Sequence, residues 1–305
     1  MKMKATISLF CCTVLLLAST AMASSVVPSV VSTAASKAPS TTASAKTQSK
    51  TKVSAPAAAT PTTFGLLATA TRSTSLVDFQ DGSKSDSVDY LFRPSGRFSF
   101  GTVSLSIGYS QDLRDDTERA ADWSDASIAW ALNPTKLKWS NKEQNARLTY
   151  SLSAIIPVSK NSRIRDQLQT SVSGSLGFGV SPVDDGFSYG ARVSFGRNFH
   201  AYSENINGSV LNQYSSNQSL NAGYTYGNWD LSLSFTNMAR WSYQGNVRSS
   251  FDLSEELTYS FNKNFSLAVG HTNSGSNLKP NGVDTNISLF NENSSIVYAT
   301  LGVAY

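Results

Sequence analysis

From Phe64 onward, apolar residues alternate with small polar residues in short segments that are separated by clusters of Gly, Asn, Asp, Pro and Ser. Along 171–180, for example, Val172, Leu176 and Phe178 alternate with serines and glycines. Successive side chains of a β-strand point to opposite faces, so a period of two predicts strands with one apolar and one polar face. No segment has a convincing helical period. The pattern therefore predicts an all-β unit over residues 63–305.

The turn signals divide this unit into twelve predicted strands. They lie at 63–77, 86–95, 97–111, 123–133, 146–158, 168–181, 186–199, 217–226, 229–242, 250–261, 265–274 and 294–305. The connection at 134–145 is too long for the minimal turn expected at its place in the order. Counts of ten or fourteen strands are therefore also compatible with the sequence.

Three features favour a membrane barrel over a soluble β-sandwich, which would also alternate. The predicted connections alternate between short turns and long polar loops, aromatic residues crowd the short turns, and the polar faces carry Ser, Gly and Thr rather than Lys and Glu. The short turns are placed at 94–97, 227–228 and 262–264, and the long loops at 111–123, 200–217 and 273–293. A sheet in hydrocarbon cannot leave an unpaired edge, so the first strand must pair with the last.

The last strand ends the chain with an apolar residue at every second position. These residues are Val297, Ala299, Leu301, Val303 and Tyr305. A terminal strand that closes on an aromatic residue resembles the C-terminal assembly signal of Gram-negative outer-membrane β-barrel proteins. The resemblance is to this porin-like class and covers residues 63–305. It implies insertion into the outer membrane by the barrel-assembly machinery and contact with outer-membrane lipid and lipopolysaccharide.

The first 23 residues have the features of a secretory signal peptide. Lys2 and Lys4 precede an apolar run at 7–17, and an Ala-Met-Ala sequence at 21–23 predicts cleavage after Ala23. The apolar run is too short to cross a bilayer. Both cysteines lie inside it, so we expect a mature chain without disulfides or cysteine-ligated metals.

Residues 24–62 contain Ser, Thr, Ala, Pro and Lys but no aromatic residue and no acid. Such a segment buries too little apolar surface to offset the entropy of ordering it, so we expect a disordered periplasmic linker. Its lysines are also compatible with contact to peptidoglycan.

The basic excess of the whole chain does not extend to the predicted barrel. Six of the 25 Lys and Arg residues precede position 63, which leaves 19 basic residues against all 21 acidic residues. No basic patch interleaved with aromatics is present, so we expect no nucleic-acid partner. With two histidines in the chain, we expect no metal site and no cofactor.

Charged residues on the polar faces are candidates for controlling transport. The alternation predicts an inward-facing set of Asp89, Arg93, Arg147, Arg192, Asp230, Arg240, Asp252 and Glu256. Such charges can select which solutes pass. They can equally pair across the interior and stabilise a closed barrel, and the sequence leaves both interpretations open.

Glu255 does not fit this scheme, because it falls on the apolar face of the tenth strand between Leu253 and Leu257. A β-bulge that turns Glu255 inward would explain it, and so would a misplaced strand boundary.

These features predict a passive channel for small hydrophilic solutes, with a structural or surface-interaction barrel of closed interior as the alternative. Some outer-membrane hydrolases, the phospholipases and lipid A deacylases, carry a His-x-Ser on a strand near the outer rim. Here His271 is followed at that spacing by Asn273, and Ser274 falls on the opposite face. His200 lies beside a long loop and is no stronger candidate for a catalytic residue. We therefore expect no enzymatic activity and no catalytic residue.

Overall fold

The computed structural model describes residues 63–77, 84–113, 121–137 and 144–305. The predicted signal peptide and the predicted linker at 24–62 lie outside the described residues.

The described residues form one sheet of twelve barrel strands, numbered here in chain order. They are β1 Thr63–Ser75, β2 Asp86–Phe98, β3 Gly101–Asp112, β4 in three segments (Ala121–Trp123, Ala126–Leu132 and Thr135–Leu137), β5 Gln144–Ile156, β6 Leu168–Pro182, β7 Gly186–His200, β8 Asn212–Tyr226, β9 Trp229–Ser242, β10 Val247–Ser260, β11 Phe265–Ser276 and β12 Ser295–Ala304.

The sheet closes on itself because β1 pairs with both β2 and β12. The pairing of β1 with β12 runs without interruption from Leu67 opposite Ala304 to Ser75 opposite Ile296. Every neighbouring pair is antiparallel, and consecutive strands are adjacent around the ring. The predicted closed, antiparallel, up-and-down barrel of twelve strands is confirmed.

The two rims of the barrel differ in the length of their connections. One rim carries the connections 99–100, 138–143, 183–185, 227–228 and 261–264, together with the start of β1 and the end of β12. The opposite rim carries the connections 76–85, 113–120, 157–167, 201–211, 243–246 and 277–294. These rims are called the short-turn rim and the long-loop rim below. The connection between β4 and β5 spans six residues, because β4 extends to Leu137, and the predicted twelve-residue connection at 134–145 is wrong.

The predicted turn at 94–97 is also wrong, because β2 continues to Phe98 and the turn lies at 99–100. Proline and glycine at 94 and 96 produced the error. The β2–β3 ladder skips Arg93 and Pro94, as expected where proline has no backbone N–H to donate. Gly101, with φ of 142°, opens β3 in a backbone conformation that glycine adopts readily.

β8 begins at Asn212 rather than at the predicted residue 217, so the preceding loop is 201–211. The added residues are Asn, Gln, Tyr and Ser, whose mixed polarity gives no clear alternation. The connection between β5 and β6 contains a short π-helix, Asn161–Arg165. Among the residues that the structure describes, no helix is long and apolar enough to cross a lipid bilayer.

Side-chain exposure distinguishes the two faces of the sheet. Large apolar residues at alternate positions, including Leu152, Leu176, Val193 and Leu231, are each 52–53% exposed. The pairing of neighbouring strands places these residues on one continuous surface, the outer wall. The intervening residues form the inner wall, on which the candidate site lies.

Candidate functional site: the barrel interior

The inner wall is lined by hydroxyl groups that bond to each other across strands. The pairs are Thr71–Thr300 at 2.8 Å, Ser73–Ser87 at 2.9 Å, Ser151–Ser175 at 2.7 Å, Ser153–Ser173 at 2.7 Å, Ser219–Thr236 at 3.0 Å and Ser234–Ser254 at 2.7 Å. The glycines of this wall differ in the space around them, and most, such as Gly190 and Gly223, have a neighbouring atom within 3.0 Å of a Cβ position. At Gly179, no atom lies within 4 Å of the position that a Cβ would occupy.

The strand registers place all eight predicted charges on this inner wall. Arg192 is representative, because it lies opposite Gly177 of β6 and Ser219 of β8, and Ser219 belongs to a hydroxyl pair. The same alternation applies to Asp89, Arg93, Arg147, Asp230, Arg240, Asp252 and Glu256. Their part in transport stays a prediction.

The arginines of one side of the interior bond to serines. Arg93 Nε donates to Ser106 Oγ at 3.0 Å. Arg192 donates to Ser175 at 2.7 and 3.1 Å and to Ser151 at 2.8 Å. Its guanidinium therefore lies along the wall and reaches across β6 to β5.

The acids of the opposite side also bond to hydroxyls. Glu256 accepts hydrogen bonds from Tyr298 at 3.0 Å and from Thr258 at 3.1 Å. Asp230 accepts one from Thr225 at 2.7 Å. The Tyr298 ring lies over Gly270, where any Cβ would overlap the ring atoms.

Six of the eight predicted charges are grouped by sign around the interior. Arg93, Arg147 and Arg192 lie on β2, β5 and β7, whereas Asp230, Asp252 and Glu256 lie on β9 and β10. Asp89 and Arg240 are the exceptions among the eight. The registers also place Asp112 of β3 and Asp122 of β4 inward on the arginine side, and Arg248 of β10 inward on the acid side. Within the described ranges, no two of the eight charges form a salt bridge.

Sequence reasoning missed three further basic residues of the inner wall, Arg97, Lys136 and Arg248. They lie opposite Thr102, Arg147 and Arg240 in the neighbouring strands. Each fell in a region predicted as a turn or a connection. Continuing the alternation of β2 by two steps beyond Arg93 would have identified Arg97.

The outer wall carries aromatic pairs near the short-turn rim, as the sequence predicted. Their ring centroids lie 5.2 Å apart for Phe98–Phe100, 4.7 Å for Phe187–Tyr224 and 4.7 Å for Trp229–Tyr259. Rings that gather at one level of a barrel form a belt of the kind found at membrane interfaces.

Glu255 stays on the outer wall, so both explanations considered for it are wrong. β10 pairs with β9 and β11 in continuous register through this position, without a bulge, and Glu255 is well inside the strand. Glu255 lies opposite His271, and its Oε1 is 3.2 Å from Nδ1 of the imidazole, within ion-pair distance. The contact lacks hydrogen-bonding geometry, and neither ring nitrogen has a hydrogen-bond partner within the described residues.

The long connection 277–294 folds back over this part of the outer wall. The Phe290 ring stacks on His271 with centroids 5.8 Å apart. Asn273 donates to the Ser288 carbonyl at 2.8 Å and accepts from the Ser294 hydroxyl at 2.6 Å. Beneath the same connection, Phe251 is 1% exposed.

This arrangement does not assemble a hydrolase site at His271. Asn273, the residue at the position of the expected nucleophile, is bonded to the covering connection, and Ser274 lies on the inner wall opposite Asp252. His200 contacts the Tyr243 hydroxyl at 3.3 Å. Within the described part of the chain, no group of three His, Cys, Asp or Glu side chains is arranged to hold a metal ion.

The C-terminal residues predicted as an assembly signal lie at the closing seam of the barrel. Val297, Ala299, Leu301 and Val303 alternate along β12, with Leu301 49% exposed on the outer wall. The backbone of Tyr305 exchanges two hydrogen bonds with Leu66 of β1, at 2.8 and 2.9 Å. Their role in assembly stays a prediction.

Comparison with known proteins identifies the fold but no sequence family. No family model matches the chain. No curated protein matches it either. Among solved structures, an outer-membrane channel from Pseudomonas putida F1 aligns over 83% of this chain and 97% of its own, with a TM-score of 0.54 and 9% sequence identity.

Two porin structures also align. The NanC porin has a TM-score of 0.43 and 8% identity, covering 79% of this chain and 98% of its own. The KdgM porin has a TM-score of 0.42 and 10% identity, covering 78% and 99%. The shared fold rests on the Pseudomonas putida F1 structure, whose TM-score exceeds 0.5. The chain shares the closed β-barrel fold of that structure, as its strand pattern predicts.

Proposed function

We propose that this chain resides in the outer membrane and forms a passive, porin-like channel for small hydrophilic solutes. The observation that carries the proposal is the contrast between the two walls of one closed sheet. The outer wall exposes large apolar side chains, and the inner wall carries hydroxyls, glycines and charges.

The bonding of the inner charges supports a wet interior. Among the residues that the structure describes, Arg192 and Glu256 each bond to hydroxyls and to no opposite charge. A charge without a counter-charge is costly to bury in a dry medium, whereas water solvates it directly. Gly179, where no atom lies within 4 Å of a Cβ position, is one place on the wall that is open to such water.

The distribution of charge supports selectivity within the same channel. Arginines on β2, β5 and β7 and acids on β9 and β10 distribute charge unevenly around the interior, and such charges can select which solutes pass. With every inward charge of the described strands included, seven basic residues stand against six acidic residues on the inner wall. The proposed channel therefore has a slight preference for small anions over small cations.

The test is ion conductance of the purified protein in a planar lipid bilayer. We expect discrete current steps and a reversal potential that indicates anion preference in a salt gradient. Arg192→Gln should reduce this preference and Glu256→Gln should increase it. Arg197→Gln, on the outer face of the same strand as Arg192, should leave it unchanged. Inserted protein that passes no current would overturn the channel proposal.

A structural or surface-interaction barrel is the second candidate, and the connections of the long-loop rim favour it. Backbone hydrogen bonds join three of these connections: Ile206 N to Arg165 O at 3.0 Å, Ala201 N to Gln167 O at 3.0 Å and Tyr243 N to Leu211 O at 3.1 Å. This joined surface suits contact with a partner. The same bilayer experiment separates the candidates, because a closed interior conducts no ions.

A further inference from the structure

The described strands place two arginines on the outer wall, and the two differ in how their charge is balanced. Arg72 of β1 makes a bidentate salt bridge with Asp86 of β2, at 2.9 and 2.7 Å. Arg197 of β7 has no carboxylate within ion-pair distance among the described residues. Its guanidinium is exposed and lies 4.9 Å from the Phe199 ring centroid and 5.5 Å from that of Tyr214.

An aromatic cleft adjoins this arginine. Phe195 stacks on Tyr214 with centroids 5.8 Å apart and lies 6.4 Å from Trp241. These three rings and Tyr243 line most of an open cleft of about 340 Å³. Tyr214 belongs to both features, since its ring lies beneath the guanidinium and also borders the cleft.

The position of this site fits a membrane interface. Arg197 is three residues from the end of β7, and Trp241 is one residue from the end of β9, both at the long-loop rim. Trp and Tyr gather where lipid headgroups meet acyl chains. An outward-facing arginine costs little at that level, roughly 0–1 kcal/mol, compared with the bilayer midplane.

We propose that Arg197 and this cleft form a binding site for a phosphate-bearing acylated lipid. The guanidinium takes the phosphate, because its planar fork matches two phosphate oxygens and is less strongly hydrated than an ammonium. The faces of Phe199 and Tyr214 hold the guanidinium in place. The cleft between Phe195, Tyr214 and Trp241 takes part of one acyl chain.

This inference rests on the proposed membrane location but not on channel activity. A lipid phosphate supplies the counter-charge for Arg197, since no carboxylate of the described residues lies within ion-pair distance of it. Arg72 needs no such ligand, because Asp86 already neutralises it. The two arginines therefore form a matched pair for the test.

The test measures binding of lipid A to the folded, detergent-solubilised full chain by native mass spectrometry. Lipid A carries both phosphates and acyl chains, and the same lipid without its phosphates serves as the second probe. Arg197→Gln should weaken binding of lipid A about tenfold, because it removes a pair of charge-assisted hydrogen bonds to the phosphate. The Arg72→Gln variant should bind lipid A with the same affinity as the unmodified chain.

Two further variants separate the parts of the site. Arg197→Lys keeps the charge without the fork and should give an intermediate loss. Trp241→Ala should weaken binding of lipid A with and without phosphates, because it opens the cleft. Circular dichroism and heat-resistant migration in gels verify that each variant is folded.

Equal binding of lipid A by the unmodified chain and Arg197→Gln would overturn the proposal. So would an equal loss in Arg72→Gln, or full displacement of lipid A by inorganic phosphate, which would show that the site binds the free anion. Loss of conductance with lipid binding intact would remove the channel proposal alone.

Discussion

The inner and outer walls of this barrel are built from the same twelve strands, yet they accommodate charge in different ways. On the inner wall, the bonding partners of Arg192 and Glu256 within the described part of the chain are all hydroxyl groups. On the outer wall, Arg72 is bonded to Asp86, Glu255 lies 3.2 Å from His271, and Arg197 lies over aromatic rings.

The difference follows from what each wall faces under the proposed location. Water solvates an isolated charge, so hydroxyl partners suffice on the inner wall. Towards hydrocarbon, an isolated charge is expensive and needs a counter-charge or the face of a ring. Opposite environments across a single sheet therefore explain the two kinds of bonding.

The largest expected effect comes from placing a charge on the wrong wall. Leu152→Arg puts a cation on the exposed outer face of β5 and should lower the free energy of unfolding in lipid vesicles by about 2–4 kcal/mol. Ser153→Arg, one residue away on the inner wall, should cost about 1 kcal/mol, mainly the hydrogen bond to Ser173. Guanidinium titration followed by tryptophan fluorescence measures both. Similar losses in the two variants would contradict the assignment of the walls.

A smaller effect should distinguish crowded from open places on the inner wall. Gly270→Ala forces Tyr298 off its position over the glycine and away from Glu256, so we expect a loss of about 1–3 kcal/mol in unfolding free energy. Gly179→Ala meets no atom within 4 Å and should be close to neutral. The same titration applies, and a neutral Gly270→Ala would refute this packing.

The smallest effect should come from the closing seam. Thr71→Val removes the hydroxyl bond to Thr300 that links β1 to β12, at an expected cost of about 1 kcal/mol. The control is Thr69→Val, which also replaces a hydroxyl by a methyl group on the inner face of β1. Thr69 lies opposite Gly302, and within the described residues its hydroxyl makes no such cross-strand pair. The midpoint of guanidinium unfolding should fall further for Thr71→Val, and equal midpoints would show that the seam hydroxyls contribute nothing.

Much of the fold could be predicted from the sequence, because a period of two is a local signal that a barrel imposes on every strand. It identified twelve strands, the closing pair and the inward direction of residues such as Arg192 and Glu256. The prediction failed where the composition of a strand resembled that of a turn or a loop. Pro94 suggested a turn inside β2, and the polar start of β8 at Asn212 suggested a loop.

The arrangement around Glu255 could not be predicted in the same way. Its position depends on a connection that returns from residues 277–294 and places Phe290 on His271, a contact between residues 19 positions apart. The cleft beside Arg197 likewise needs rings from three strands and the register that aligns them. Such contacts leave no periodic trace in the sequence.

Cysteine accessibility tests the central claim most directly, because residues 63–305 contain no cysteine. Single cysteines at Val193 and Leu231 on the outer wall, and at their neighbours Ser194 and Ser232 on the inner wall, would be treated with a charged, water-soluble thiol reagent in lipid vesicles. The account predicts rapid labelling at 194 and 232 and protection at 193 and 231. Labelling of all four, or of the outer pair alone, would contradict a barrel with lipid outside and water inside.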